Sequence, residues 1–308
     1  MRSRYAKRGG SRRTKRTYLR RTSKGRTRST IRRTYRSKRM SRRPSKKMIL
    51  NLTAKKKRDT MAPNVNYPPA TDGIRALTIQ ASPTATFIIW SPTQRQLREI
   101  FPTDKGSVPS GREETSCYIV GLKEKLSIAT SSGVPWKWRR IVFTHKGELP
   151  LGEQFEGPRT YSTITDAIGR DTYYRTMSPL PTTSVVPLVE YIFRGDGTTT
   201  LGLADWTDVM TAPMDTTRIK VMNDGVTHIR SGNDSGVLKT YNRWHPVRKN
   251  LVYGDEEIGN QVLSSAYSTQ GRPGIGDIYV LDIFTSLSDT TSDTLSITTT
   301  ATQYWHER

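Results

Sequence analysis

The sequence predicts an all-β domain, a β-sandwich or jelly roll with long loops, behind a disordered basic arm. Three observations carry that expectation. The chain has 308 residues with 50 Lys+Arg against 27 Asp+Glu, yet 26 of the bases and none of the acids precede Asp59. Beyond Arg58 the remaining 250 residues hold 24 bases and 27 acids, a nearly neutral body. That body contains about ten short runs rich in Val, Ile, Thr, Tyr and Trp, bounded by Gly, Pro, Asn and Asp.

Residues 1–45 are low-complexity Arg, Ser, Thr and Lys, with Tyr5, Tyr18 and Tyr35 interspersed. Dense like charge with few large apolar groups cannot collapse, so this arm is expected to stay disordered until a polyanion neutralises it. Residues 46–70 read as a bridge. It holds an apolar patch (Met48, Ile49, Leu50, Leu52), a basic run (Lys55, Lys56, Lys57, Arg58), and a linker stiffened by Pro63, Pro68 and Pro69. Residues 71–308 form the folded domain, a length within single-domain range for all-β folds.

Strands are expected at 74–80, 85–90, 117–128, 136–144, 188–194, 217–222, 226–230, 237–244, 277–286 and 294–304. Asn223, Asp224 and Gly225 tolerate positive φ and predict a tight hairpin turn between two of them. Within 277–284, Ile278, Val280 and Asp282 fall on one face and Tyr279, Leu281 and Ile283 on the other. Among these six only Asp282 is polar, so both faces are expected to be covered, as in an internal strand of a sandwich. Residues 94–100 and 163–168 read as one or two turns of helix each, and 146–158 and 172–187 as long surface insertions. Many short strands with few helices fit a sandwich or jelly roll better than an α/β fold. Periodicity alone does not separate a jelly roll from an immunoglobulin-like sandwich.

The arm carries the strongest functional signal. Arg2, Arg4, Lys7, Arg8, Arg12, Arg13, Lys15, Arg16, Arg20 and Arg21, then Arg32, Arg33, Arg36, Arg39, Arg42 and Arg43, are the candidate DNA-binding cations. Each neutralised phosphate releases condensed counterions, which drives binding that is salt-sensitive and independent of sequence. Arg outnumbers Lys 17 to 9 before Asp59, which suits bidentate phosphate contacts. The arm tyrosines can stack on unpaired bases. With no amphipathic pattern and no lipidation motif, nucleic acid is favoured over a membrane surface or a merely solvated charge run. Arg42, Arg43, Lys46 and Lys47, with Lys55, Lys56, Lys57 and Arg58, also match a nuclear-import signal, which implies a host import receptor as partner.

Trp136, Trp138 and Arg140 alternate with Lys137 and Arg139 along one expected strand. Trp136, Trp138, Arg139 and Arg140 are candidates for a base-stacking platform. The favoured alternative makes the tryptophans core or subunit-interface anchors.

Enzyme readings find little. His145, His228, His245 and His306 are scattered, and none forms a zinc-type pair with another His or with Cys117. There is no P-loop, dinucleotide-binding glycine motif or nucleophile elbow. The glycine-rich run 271–276 has the wrong spacing and precedes a strand, so it reads as a turn. Asp255, Glu256 and Glu257 read as solvated carboxylates rather than a divalent-cation site. Cys117 reads as core, and a single cysteine permits no intramolecular disulfide. The sequons at Asn51 and Asn233 read as chance matches, because the basic start is not followed by an apolar segment and no secretory signal is expected. No apolar run reaches the roughly 18 residues a spanning helix needs, so no membrane insertion is expected. No catalytic residue, metal or cofactor is expected.

The layout resembles the coat proteins of small circular single-stranded DNA viruses, most closely the genomoviruses of the gemycircularvirus group. Residues 47–61 (KMILNLTAKKKRDTM), directly after an Arg-rich arm, are similar to that family's arm-to-body junction. Residues 133–143 (GVPWKWRRIVF), 231–236 (SGNDSG), 241–246 (YNRWHP) and 276–284 (GDIYVLDIF) resemble family segments in the same order. The resemblance spans roughly 46–308, and geminivirus coat proteins share the plan. It implies a viral jelly roll, an eight-stranded β-sandwich, as shell domain. It further implies self-assembly into a T=1 icosahedral shell of sixty copies, packaging of a circular single-stranded DNA genome by arms on the inside, and residence in the virion and the host nucleus. Sixty arms would bring about 1,560 charges, a large part of what a genome of a couple of thousand phosphates requires.

Two rival classes make different demands. A cellular nucleic-acid-binding protein, ribosomal or chromatin-associated, would share the arm but usually spreads positive charge over its folded part. A nuclease would need clustered acids or a His/Cys metal site.

Overall fold

Long strands whose alternate side chains are apolar build two antiparallel sheets that close on each other. The computed structural model describes residues 45–62, 76–97, 110–151, 160–165, 171–197, 204–288, 290 and 292–308. In chain order the elements begin with helix α1 (Lys46–Thr53), β1 (Lys55–Met61), β2 (Leu77–Gln80), β3 (Thr86–Trp90), β4 (Ser116–Thr130) and β5 (Trp136–His145). Next come β6 (Tyr161–Thr165), β7 (Asp171–Arg175), β8 (Ser178–Pro179), helix α2 (Thr182–Ile192), β9 (Lys220–Ile229) and β10 (Leu238–Val252). The chain ends with β11 (Glu256–Ile258), β12 (Gln261–Leu263), β13 (Asp277–Ser286) and β14 (Thr294–Glu307).

One sheet runs β1-β14-β4-β10, with β2 pairing the other end of β14. The second runs β8-β3-β13-β5-β9. Two small hairpins, β6-β7 and β11-β12, stand apart from both. The chain divides between Ser45 and Lys46, and Lys46–Arg308 is one compact unit.

The main core fills the space between the sheets. Leu122, Leu126 and Ile128 of β4 and Leu295, Ile297 and Trp305 of β14 meet Trp90, Trp138, Val142, Val280 and Phe284 of the facing sheet. Burying such side chains contributes roughly 1.5–3 kcal/mol each. A second core covers the outer face of the β13 sheet. There Phe87, Ile141, Phe143, Tyr279, Leu281 and Ile283 pack under Leu188 and Ile192 of α2 and under Met210, Ala212 and Ile219. Strand β13 is therefore buried on both faces except at Thr285, as its alternation predicts.

Several elements depart from the sequence reading. Residues 188–194, read as a strand, largely belong to α2, whose buried Ser184, Leu188 and Ile192 recur every fourth residue. Pro187 lies inside this helix and does not end it, because the apolar stripe is needed on the sheet below. Residues 172–187, read as an insertion, contain most of β7, all of β8 and the first half of α2.

Asn223, Asp224 and Gly225 are not a hairpin turn. They lie within β9, opposite Val142, Ile141 and Arg140 of β5. The register shifts there, and Asp224 is clamped by Arg139, so the two expected strands are one bulged edge strand. Of residues 163–168, read as a helical turn, 163–165 lie in β6 and 166–168 lie outside the described residues. Of residues 94–100, the other expected helical turn, 94–96 are irregular, Leu97 makes an isolated bridge to Arg112, and 98–100 lie outside the described residues. Finally, the bridge read at 46–70 is not all linker: β1 pairs with β14 over all seven of its residues.

Candidate nucleic-acid interface

The arm cations from Arg2 to Arg43 lie outside the described residues, as do Arg42 and Arg43 of the import cluster. Lys46 and Lys47 open α1. Lys55, Lys56, Lys57 and Arg58 lie in β1, where strand alternation splits them. Lys57 points inward. Its Nζ is 3.0 Å from Glu113 Oε1 and 2.9 Å from Glu307 Oε2, and it donates to the Gly111 carbonyl at 2.8 Å. Lys56 and Arg58 point outward and are exposed. While β1 is paired, an import receptor cannot engage Lys57 as part of a continuous basic run.

Trp136, Trp138, Arg139 and Arg140 are all buried, with exposures of 2, 1, 4 and 1 %. This overturns them as a stacking platform, since no base can reach them in this fold. Their chemistry is internal. Trp138 lies parallel to Phe284, with centroids 5.9 Å apart, and donates from Nε1 to Asp282 at 2.7 Å. Arg140 bridges the sheets: it pairs with Glu124 of β4 and sits 3.3 Å from Asp282 of β13. Glu124 also meets His245 Nε2 at 2.7 Å. Burial alone would raise the Glu124 carboxyl, but Arg140 and then the His245 hydrogen bond outweigh it and hold it below the usual range. For Asp282 burial wins over Arg140, and its carboxyl lies above the usual range. Arg139 faces the other way. It clamps Asp224 at 2.9 and 2.6 Å and donates to the carbonyls of Val209 and Ala212, pinning the cover over the outer core.

Asp255, read as solvated, is instead held inside the fold by an ion pair with Arg112. Asp255 accepts from Arg112 at 2.5 and 2.8 Å, from Thr115 at 2.9 Å and from the Ser265 amide at 3.0 Å. Glu256 and Glu257 are exposed on β11. Among the described residues no group of three His, Cys, Asp or Glu is placed to hold a metal ion. Burial, and then the nearby Glu307, push the Cys117 thiol up to about 12, which leaves it protonated and unreactive. Among the described residues no helix is long and apolar enough to cross a membrane.

What the sequence did not disclose is the outward face of the β1-β14-β4-β10 sheet. Lys56 and Arg58 of β1 share it with Lys123 and Lys125 of β4. Among the described residues pointing outward from these four strands none is Asp or Glu. Glu124, Glu307 and Asp59 all lie on inward positions. Alternation along β4 was the available signal, because the run Lys123, Glu124, Lys125 sorts its charges by sign onto opposite faces. Comparison with known proteins gives no match to a family model and none to a curated protein.

Proposed function

We propose that the chain is a viral coat protein that self-assembles into a small closed shell and packages single-stranded DNA through its N-terminal arm. The observation that carries this reading is the charge split: 26 cations before the first acid, then a body of 24 bases and 27 acids. A near-neutral body lets many copies pack without net repulsion, while a separate basic segment neutralises phosphate wherever the genome lies.

The fold supports it. Numbered along the chain, β2, β3, β4, β5, β9, β10, β13 and β14 are eight principal strands. They order as 1-8-3-6 in one sheet and 2-7-4-5 in the other. That interleaving is the order of a jelly roll, an architecture common in viral capsids. The exposed tips β11-β12 and the edge strands β9 and β10 offer subunit contacts. Nuclear import, where it operates, falls to the cluster of Arg42, Arg43, Lys46 and Lys47, because β1 withdraws Lys57.

Electron microscopy of the purified full-length protein, with nuclease protection of co-purifying nucleic acid, tests this reading. Uniform small spherical particles holding protected DNA are expected. A homogeneous monomer or dimer across a wide range of salt and pH overturns the shell and points to a cellular binding protein.

A further inference from the structure

Two pairs of aromatic rings occupy the outward face of the β1-β14-β4-β10 sheet. Tyr304 of β14 and Trp244 of β10 stand on opposite sides of β4, yet their ring centroids are 5.9 Å apart at 60°. Gly121 of β4 makes this possible. A Cβ there would stand 2.6 Å from the Trp244 indole, so the indole reaches across β4 only because that position is bare backbone. His306 of β14 and Tyr118 of β4 are direct register partners, with centroids 6.0 Å apart at 34°.

Each pair begins beside a cation: Lys56 is the register partner of His306, and Arg58 that of Tyr304. The two rows lie two residues apart on β14, about 7 Å. Lys123 pairs in register with Trp244 and extends the positive surface. Partial burial, and then Lys56, push the His306 imidazole below its ordinary range, which favours the neutral ring. Trp244 and Tyr118 are 48 and 39 % exposed.

Exposed rings set among cations with no carboxylate between them match a polyanion whose flat bases are free to stack. A duplex stacks its bases on each other and cannot use the rings. A protein partner would have to neutralise Lys56, Arg58, Lys123 and Lys125, none of which has an ion-pair partner among the described residues.

We propose that this sheet face binds unpaired DNA, its rings stacking on bases and its lysines and arginine holding phosphates. The proposal rests on the nucleic-acid reading above and adds a base-contacting surface to an arm that reads phosphate.

The test uses full-length protein and a thymidine oligonucleotide of about 20 residues carrying 5-iododeoxyuridine, at about 0.5 M salt, where exposed charges are strongly screened. Photocrosslinks are expected on the peptides holding Trp244 and Tyr304, with single strand preferred over duplex and over the matched RNA. Trp244→Ala with Tyr304→Ala should lower high-salt affinity about 10-fold or more while keeping the wild-type unfolding transition. Should that pair fail to fold, Lys123→Gln with Lys125→Gln, both exposed, should still weaken binding and flatten its salt dependence. Replacing Arg12, Arg13, Arg20 and Arg21 by Gln should weaken low-salt binding and leave the crosslinks in place.

Crosslinks confined to residues 1–45, unchanged affinity in both sheet variants, or a preference for duplex or RNA overturn the sheet face and leave the arm's role standing. No binding of the oligonucleotide even at low salt overturns the face and the packaging reading together.

Discussion

Asp277 and Asp282 sit on the same strand, both buried, and differ in what faces them. Asp282 has Arg140 at 3.3 Å and the Trp138 N–H at 2.7 Å. Among the described residues no cation forms an ion pair with Asp277, which relies on Thr93 at 2.9 Å and the Ser268 amide at 2.6 Å. Burial therefore dominates, and its carboxyl is pushed up to about 6. In the unfolded chain an Asp titrates near 3.9. Below about pH 4 both states hold the proton and burial carries no charge penalty. As pH rises through 6 the folded chain must ionise a buried group, and that stabilisation is lost. Asp277→Asn is uncharged throughout. Lowering pH from 7 to about 4.5 should therefore stabilise the wild type relative to Asp277→Asn, by an amount on the order of 2 kcal/mol. Urea unfolding at the two pH values measures it, and a difference independent of pH would mean that Asp277 keeps an ordinary carboxylate's titration.

At the scale of elements, alternation served the reading well and composition served it badly. Strands β3, β4, β5, β13 and β14 are legible because β-branched and aromatic residues recur along them, and Asp282 amid the apolar residues of β13 is explained once Trp138 and Arg140 are seen beside it. Helix α2 was hidden because Val, Ile and Tyr favour strands locally, while its spacing of four was decided by the sheet beneath. Strand β1 was hidden inside a basic run, since nothing local says that Lys57 will meet Glu113 and Glu307 from distant parts of the chain. The same distance hid the sheet face: Tyr118, Trp244 and Tyr304 come from three separate strands. The alternation of β1 makes a sharp prediction. Lys57→Ala leaves the fully buried Glu307 short of its cation and should cost about 3–5 kcal/mol. Lys56→Ala, one residue away on the outward face, should stay within about 0.5 kcal/mol of wild type. Equal effects in thermal unfolding would mean that β1 does not pair with β14 as described.

At the scale of the whole molecule, the proposed function gives nucleic acid two cationic systems, and they differ in number of charges. Residues 1–44 contain 20 Lys+Arg, whereas the outward sheet face presents Lys56, Arg58, Lys123 and Lys125. For a single strand, the slope of log affinity against log salt is about −0.7 per phosphate neutralised. If the four face cations each take one phosphate, a chain lacking residues 1–44 should bind a thymidine oligonucleotide with a slope near −3. The full chain should be far steeper at low salt and converge toward the shorter chain's affinity as salt rises, because screening removes the arm's contribution while stacking on Trp244 and Tyr304 persists. The shortened chain should unfold with an unchanged transition, since Lys46–Arg308 is a unit in itself. Fluorescence titration of both chains over a salt series measures the slopes. Loss of all binding on removing 1–44 would assign nucleic-acid contact to the arm alone, whereas equal slopes in the two chains would mean that the 20 arm cations neutralise no phosphate on such a strand.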